Sequence, residues 1–182
     1  EPLPKDCPLC QQKSLLPLGL GTEKLLEQLQ SRFPEARMER LDRDTSGSLT
    51  RVLSAMHRHE LDILIGTQML AKGHDFPGVT LVGVVLADTG MGLPDFRAAE
   101  RTYQLLSQVA GRAGRASRPG RVLIQTYNPE HPAVSCAAQH DYLSFAEAEL
   151  EARQALAYPP SVRLGLVRID GEDPYKVAEL AN

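Results

Sequence analysis

The amino-acid sequence predicts an α/β fold: an open parallel sheet with helices on both faces. Three observations carry this. Asp62-Ile-Leu-Ile65 and Val79-Thr-Leu-Val-Gly-Val-Val-Leu86 are apolar, β-branched runs, the pattern of central parallel strands. Segments with apolar residues at helical spacing separate such runs, so strand and helix alternate along the chain. A hydrophobic content of 42% over 182 residues is enough for one good domain plus pieces of its neighbours.

In order, the first 13 residues are polar and carry Cys7 and Cys10 on a knuckle. Leu15-Leu-Pro-Leu18 reads as a short buried strand ending at Gly19-Leu-Gly-Thr22. A helix follows, with Leu25, Leu26, Leu29 and Phe33 inward and Pro34 as its stop. Met38 to Leu41 forms an edge strand before the acidic turn Asp42-Arg-Asp-Thr45, and Leu49, Val52, Leu53 and Met56 have helical spacing. The pattern is helical again between about Ala98 and Val109. Arg121 to Thr126 is the next strand, closed by the turn Asn128-Pro-Glu-His131. Beyond about Ala133 the composition shifts to Ala, Glu and aromatics, which reads as one long helix through Leu156 broken by Pro159-Pro160. Val162 to Ile169 alternates like a strand, and Pro174 to Leu180 opens another helix. The expected division is 1–13, then a main unit over 14–139, then a linker helix and the start of a further domain over 140–182. There is no internal repeat or low-complexity tract.

Composition excludes several classes. No apolar run is long enough for a membrane span, and no secretory signal is visible. The chain opens at Glu1 rather than Met, so it reads as an excised fragment. Three cysteines do not make a disulfide framework and fit a reducing cytoplasm, with Cys136 expected as a small buried hydrophobe. A net charge of −3 argues against a simple basic surface for nucleic acid. The charge is uneven, however: residues 97–121 carry six arginines against one glutamate, and residues 141–153 four acids against one arginine.

Two motifs carry chemistry. Gln108-Val-Ala-Gly-Arg-Ala-Gly-Arg115 sets Arg112 and Arg115 three residues apart among small residues. Two guanidinium forks placed this way match the oxygens of one phosphate, which a lysine point charge cannot do. The competing reading is a helix C-terminus, with arginines against the dipole and glycines as stops. The second motif, Ile63 to Pro77, begins where a strand ends. Ligands on open parallel sheets bind at such loops, so the Thr67 hydroxyl and nearby amides can take a phosphate. The loop from Asp42 to Thr45 is another such place. No Gly-x4-Gly-Lys-Ser/Thr occurs, so no phosphate-cradling loop is present, and no strand ends in paired acids to hold magnesium. Gly19-Leu-Gly21-Thr-Glu-Lys24 lacks the third glycine of a dinucleotide site.

Gln-x-x-Gly-Arg-x-Gly-Arg resembles motif VI of the superfamily-two helicases, and Ile63–Pro77 resembles their motif V. Their order and spacing agree with the second RecA-like lobe of such enzymes. Gly66-Thr-Gln-Met-Leu-Ala-Lys-Gly-His-Asp-Phe-Pro77, then Pro94-Asp-Phe-Arg-Ala-Ala-Glu-Arg101, then the paired arginines are similar to the PriA family of replication-restart helicases (primosomal protein N-prime). The resemblance runs from about Cys7 to about Arg168. It implies half of an active site, with ATP and Mg2+ held mainly by another lobe. Arg115, and second to it Arg112, would reach the γ-phosphate across the cleft as a finger, a role worth about 10³–10⁵ in rate in other nucleotidases. Gln108 would couple nucleotide state to lobe closure. Thr67 would touch the DNA backbone, Gly73 would lie close to the phosphates and Asp75 near the ribose. On the residues alone, the competing reading makes Gly73 a turn glycine and Asp75 a local cap. Gly21 and Thr22 match a segment that faces DNA, and Thr22 also reads as an N-cap. His74 is expected to be exposed and without chemistry.

The charged cluster Asp88, Asp95, Arg97, Glu100 and Arg101 reads as solvated ion pairs or, by the resemblance, as a loop at the lobe interface or DNA path. Cys7-x-x-Cys10 has structural-zinc spacing. The family carries four such pairs on two zincs and this chain matches the last pair, so Zn2+ is expected in the parent protein and little or none here. His57-x-His59 does not share a helix face. The resemblance further implies 3′-to-5′ movement on single-stranded DNA and remodelling of stalled forks. Expected partners are forked DNA, single-strand-binding protein, primosome proteins and a replicative helicase loader, in a bacterial cytoplasm at the nucleoid and with no membrane. The alternative is a DNA-binding primosome-loading protein whose ATPase has decayed. Cys7-x-x-Cys10 and the Pro94–Arg101 segment argue against a RecG-like or RNA-directed enzyme, and a purely structural domain leaves the arginine pair unexplained.

Overall fold

A proline sets the end of the first helix. Helix α1, Thr22–Arg32, starts from Gly21 and carries Glu23 in its first turn and Arg32 in its last, as the helix dipole favours. Pro34 crowds the residue before it out of helical geometry, and Phe33 accordingly has φ −131° and ψ 68°. The ring expected to point inward therefore leaves the apolar stripe and is half exposed, while Leu25, Leu26 and Leu29 are half-buried. The computed structural model describes Cys10, residues 21–42, 49–71, Phe76, 78–111, 120–165, 169–173, Tyr175, Val177 and Ala178.

Two parallel strand pairs organise these residues. Strand β1, Met38–Leu41, pairs with β2, Ile63–Gly66, so that Leu41 faces Gly66 in register. Strand β3, Leu81–Val84, pairs with β4, Arg121–Ile124, with Val84 facing Ile124. Among the described residues these are two two-stranded sheets in a mixed α/β arrangement. Parallel partners need a long crossover. The first pair is crossed by α2, Leu49–His57, and the second by the short α3, Asp88–Met91, and by α4, Ala98–Ala110. Helix α1 packs on β1 and β2, α2 on β1, and α4 on β3.

Burial follows from this layering. Leu41, Val52, Ala55 and Ile65 are buried around the first pair. On the second pair residues alternate between exposed and half-buried, and Leu81 and Leu123 lie on the open face. The apolar run from Val79 to Leu86 is thus covered on one side only by the described elements. The main core joins Ala87, Tyr103 and Leu106 to Ala133, Val134, Ala137 and Phe145, with Cys136 half-buried against it.

The long helix expected from Ala133 to Leu156 is two helices, α5 Pro132–Gln139 and α6 Tyr142–Ala155. His140 takes the left-handed conformation, φ 56°, and closes α5. Asp141 then accepts from the Ser144 backbone N–H at 3.0 Å and starts α6, since a short carboxylate offers the backbone a partner that helix continuation does not. Helix α5 itself starts from His131, whose ring nitrogen accepts from the Ala133 N–H at 3.1 Å, with Pro132 in the first turn. Phe145 of α6 stacks on Tyr103 of α4 with ring centroids 4.1 Å apart, so α6 belongs to the same packed unit and packing is continuous across residues 139–140. Residues 162–165 form no strand. The expected strand Leu15–Leu18 lies outside the described residues, as does most of the helix expected from Pro174.

Two carboxylates clamp the strands. Asp62 binds the Arg37 guanidinium through both its oxygens, at 2.8 and 2.9 Å, and also accepts from the Arg37 backbone N–H, which joins the entry of β1 to that of β2. These bonds hold the Asp62 carboxyl far below the usual range. At the other edge Asp88 accepts from the Thr126 hydroxyl at 2.9 Å and from the Tyr127 backbone N–H at 3.1 Å, fastening the exit of β3 to that of β4. Burial alone would raise the Asp88 carboxyl, but these hydrogen bonds outweigh it and lower it. A carboxyl lowered in the folded state stabilises above its unfolded value and loses that contribution as pH falls through its folded value. Urea unfolding of Asp88→Asn beside the parent chain is therefore expected to show a stability deficit near pH 6 that shrinks on acidification below about pH 4. An unchanged deficit across that range would assign the effect to shape rather than charge.

Candidate functional site

The carboxyl ends of β1 and β2 open on one edge, and a glycine shapes it. A Cβ at Gly66 would lie 2.6 Å from the Leu41 carbonyl oxygen and 2.7 Å from a Leu70 methyl. Only glycine lets the end of β2 press on β1 while the chain turns away. It turns at once into a single 3-10 turn, Gln68–Ala71, with the Leu70 N–H bonded to the Thr67 carbonyl at 3.0 Å. Thr67 is exposed at this strand end. Helix α4 packs against the same turn.

Beside it stands the start of α1. Gly21 is its N-cap, exposed, with no side-chain cap and nothing within 4 Å of a Cβ built there. Its backbone is ordinary, φ −57° and ψ 148°, so neither strain nor internal packing asks for glycine. Thr22 is therefore the first helical residue and not the cap. Its hydroxyl donates to Asp42 at 2.9 Å and accepts from Arg40 at 3.3 Å. Arg40 also pairs with Asp42 at 2.8 Å and with Glu23 at 3.3 Å, and this small network ties α1 to the end of β1. The Thr22 hydroxyl proton is thus committed inside the chain, and the open approach at this corner is to the Gly21 backbone.

Gln108 is exposed on the last turn of α4. Gly111 ends that helix through its N–H to the Ser107 carbonyl at 3.1 Å, directly before Arg112. Arg112, Arg115, Gly73, Asp75, His74 and Cys7 lie outside the described residues. The structure therefore brings together the turn after Thr67 and the helix bearing Gln108, with the Gly21 corner at the same strand ends. His57 closes α2, and His59 lies beyond it with φ 57°. Cys10 is exposed, and among the described residues no group of three or more His, Cys, Asp or Glu can hold a metal ion. The described residues alone do not fit a zinc site.

The charged cluster resolves into separate duties. Asp88 is the strand clamp described above. Arg101 pairs with Asp95 at 2.6 Å, an exposed bridge of the kind that contributes little. Glu100 instead meets Arg153 of α6 at 2.8 Å. Arg153 is not singled out by the sequence, where its signal is the Glu149–Arg153 pair one helical turn apart, and Phe96 is seen there only as part of the Pro94–Arg101 segment.

The matching profile is that of the helicase conserved C-terminal domain, over residues 9–117, which include Thr67, Gln108 and both arginines. That is more than half of the chain, and the chain belongs to this family. It is also similar to the replication restart protein PriA of Bacillus subtilis (strain 168), with 47% identity over 184 residues, covering 100% of this chain and 23% of that protein. The PriA proteins of Treponema pallidum (strain Nichols) and Synechocystis sp. (strain ATCC 27184 / PCC 6803 / Kazusa) are 49% and 45% identical. These alignments cover 88% and 96% of the chain, and 25% and 21% of those proteins. The chain therefore spans about a quarter of the length of these relatives. Among the described residues no helix is long and apolar enough to cross a membrane.

The two glycines should separate on substitution. Gly66→Ala is expected to destabilise the fold by about 1–3 kcal/mol, because its Cβ meets backbone. Gly21→Ala is expected to stay within about 0.5 kcal/mol, because its Cβ meets open space. Paired urea titrations check both values, and equal effects would remove the close-approach argument at Gly66.

Proposed function

We propose that this chain is the second RecA-like lobe of an ATP-dependent 3′-to-5′ DNA helicase that remodels stalled replication forks and starts primosome assembly. The observation that carries the proposal is the membership of residues 9–117 in the helicase C-terminal family, which takes in both motifs. The packing of α4 on the turn after Thr67 supports it, since it sets the described part of one motif against the helix that carries the start of the other.

In this reading Arg115, with Arg112 beside it, stabilises charge developing on the γ-phosphate held with Mg2+ by the other lobe. Gln108, at the exposed end of α4, senses that phosphate. Gly73 and Asp75 line the nucleotide. Thr67 and the Gly21–Thr22 corner take the DNA backbone through amides and hydroxyl rather than through a basic surface, in keeping with a net charge of −3. Given the Asp42 bond, Thr22 acts here by its backbone and by positioning Gly21. Cys7 and Cys10 join cysteines elsewhere in the full-length protein on Zn2+. Residues 14–139 form the lobe, 1–13 end the zinc module, and 140–182, whose α6 packs on the lobe's core, lead into the next domain. Single-stranded and forked DNA, single-strand-binding protein, primosome proteins and the loader of the replicative helicase are the partners.

DNA-stimulated ATP hydrolysis by the full-length protein tests this directly. Arg115→Ala is expected to lower kcat by at least about a hundredfold with folding unchanged. An indifferent variant would move the finger to Arg112 or end the motif assignment, and an inactive parent would favour the primosome loader with a decayed ATPase. The isolated chain, which has no phosphate-binding loop in its sequence, is expected to show no ATPase activity with or without DNA. Turnover by the pure chain would refute the half-site.

A further inference from the structure

Among the described residues Arg153 is the most enclosed guanidinium with a charge partner on another element. Its side chain is only 12% exposed. It reaches Glu100 in the first turn of α4 at 2.8 Å and Glu149, one turn back on α6, at 2.8 Å. Its guanidinium carbon also stands 5.2 Å from the centroid of the Phe96 ring. That ring is stacked on Tyr158, just beyond α6, with centroids 5.6 Å apart and planes 14° from parallel. Burial works against the Arg153 charge, but the two glutamates outweigh it and raise its proton affinity. One side chain thus locks the amino end of α4 to the last turn of α6.

The position of this lock is what makes it informative. Helix α4 is a single 13-residue rod, and its far end bears Gln108 and then, after Gly111, the arginine pair. Its middle is held by the stack of Tyr103 on Phe145, also from α6. A rod gripped at one end and in its middle by the same helix has its far end, which also packs on the turn after Thr67, set in part by that grip, because close-packed helices transmit small shifts rather than absorb them. The exposed pair of Arg101 with Asp95 reaches only the loop just before α4 and has no such lever arm.

We infer that Arg153 is a positioning residue for the arginine finger, acting through α4 from outside the helicase motifs. The inference rests on the assignment of Arg115 proposed above. Removing Arg153 leaves nucleotide contacts intact and loosens one of the holds that set the tilt of α4, and misplacement of a reacting group by about 1 Å costs up to about a hundredfold in rate.

The test is a double-mutant cycle in the full-length protein, with DNA-stimulated kcat, KM for ATP and the thermal unfolding midpoint measured for each variant. Arg153→Met keeps the apolar stem over Phe96 and is expected to lower kcat about tenfold with KM for ATP changed less than twofold. Placed on Arg115→Ala, it is expected to add no further loss, because a group that acts only through the finger has nothing left to position. Losses that multiply would show that Arg153 supports folding alone and would overturn the inference, as would an unchanged kcat. Should Arg153→Met lose the fold, Glu100→Gln keeps the Arg153–Glu149 bond and weakens only the link to α4, with the same non-additivity expected. An Arg115→Ala variant that is itself fully active removes the finger assignment, and is thereby told apart from failure of the lever alone.

Discussion

Parallel pairing is the constraint from which the rest of this structure follows. Strands that run in the same direction send their carboxyl ends to the same edge, so Asp42 follows β1 where Thr67 follows β2. They also cannot be joined by a tight turn, and the crossovers that result are the helices that cover them. The close fit of Gly66 against the Leu41 carbonyl makes that edge tight and lets the chain leave β2 straight into its 3-10 turn. The Arg37–Asp62 fork at the entry of one pair and the Asp88 bonds at the exit of the other hold the strands at opposite ends.

Helix α4 converts this sheet geometry into a candidate site. Its buried side, Thr102, Tyr103, Leu106 and Val109, is fixed by neighbours on several elements, while Gln108 on its last turn faces solvent. The helix also leans on the turn after Thr67, so the segment that meets a backbone phosphate in the proposed function and the one that meets nucleotide share a single support.

The motifs and most elements were legible because each is local. A β-branched run, an amphipathic stripe and Gln-x-x-Gly-Arg-x-Gly-Arg all declare themselves within about fifteen residues. Two elements were misjudged where one or two residues override a pattern. Phe33 continues the stripe of α1 by spacing, yet Pro34 takes it out of the helix. The Ala- and Glu-rich stretch after Ala133 is helical throughout by composition, yet His140 and Asp141 divide it. For Thr22, phosphate contact and N-cap were both open by sequence, whereas its hydroxyl faces a carboxylate 20 residues away.

Sequence by itself determined the α/β class, the order of the elements, the family and the residue types offered to phosphate, since these depend on local periodicity and short motifs. Tertiary structure decided which of those residues are already engaged. It committed the Thr22 hydroxyl to Asp42, left Gly21 open, turned Asp88 from a member of a charged cluster into a strand clamp, and joined Arg153 to Glu100 across 53 residues. Contacts at such separation depend on how helices pack, and packing is set by the complementarity of whole faces, which no local window of sequence contains.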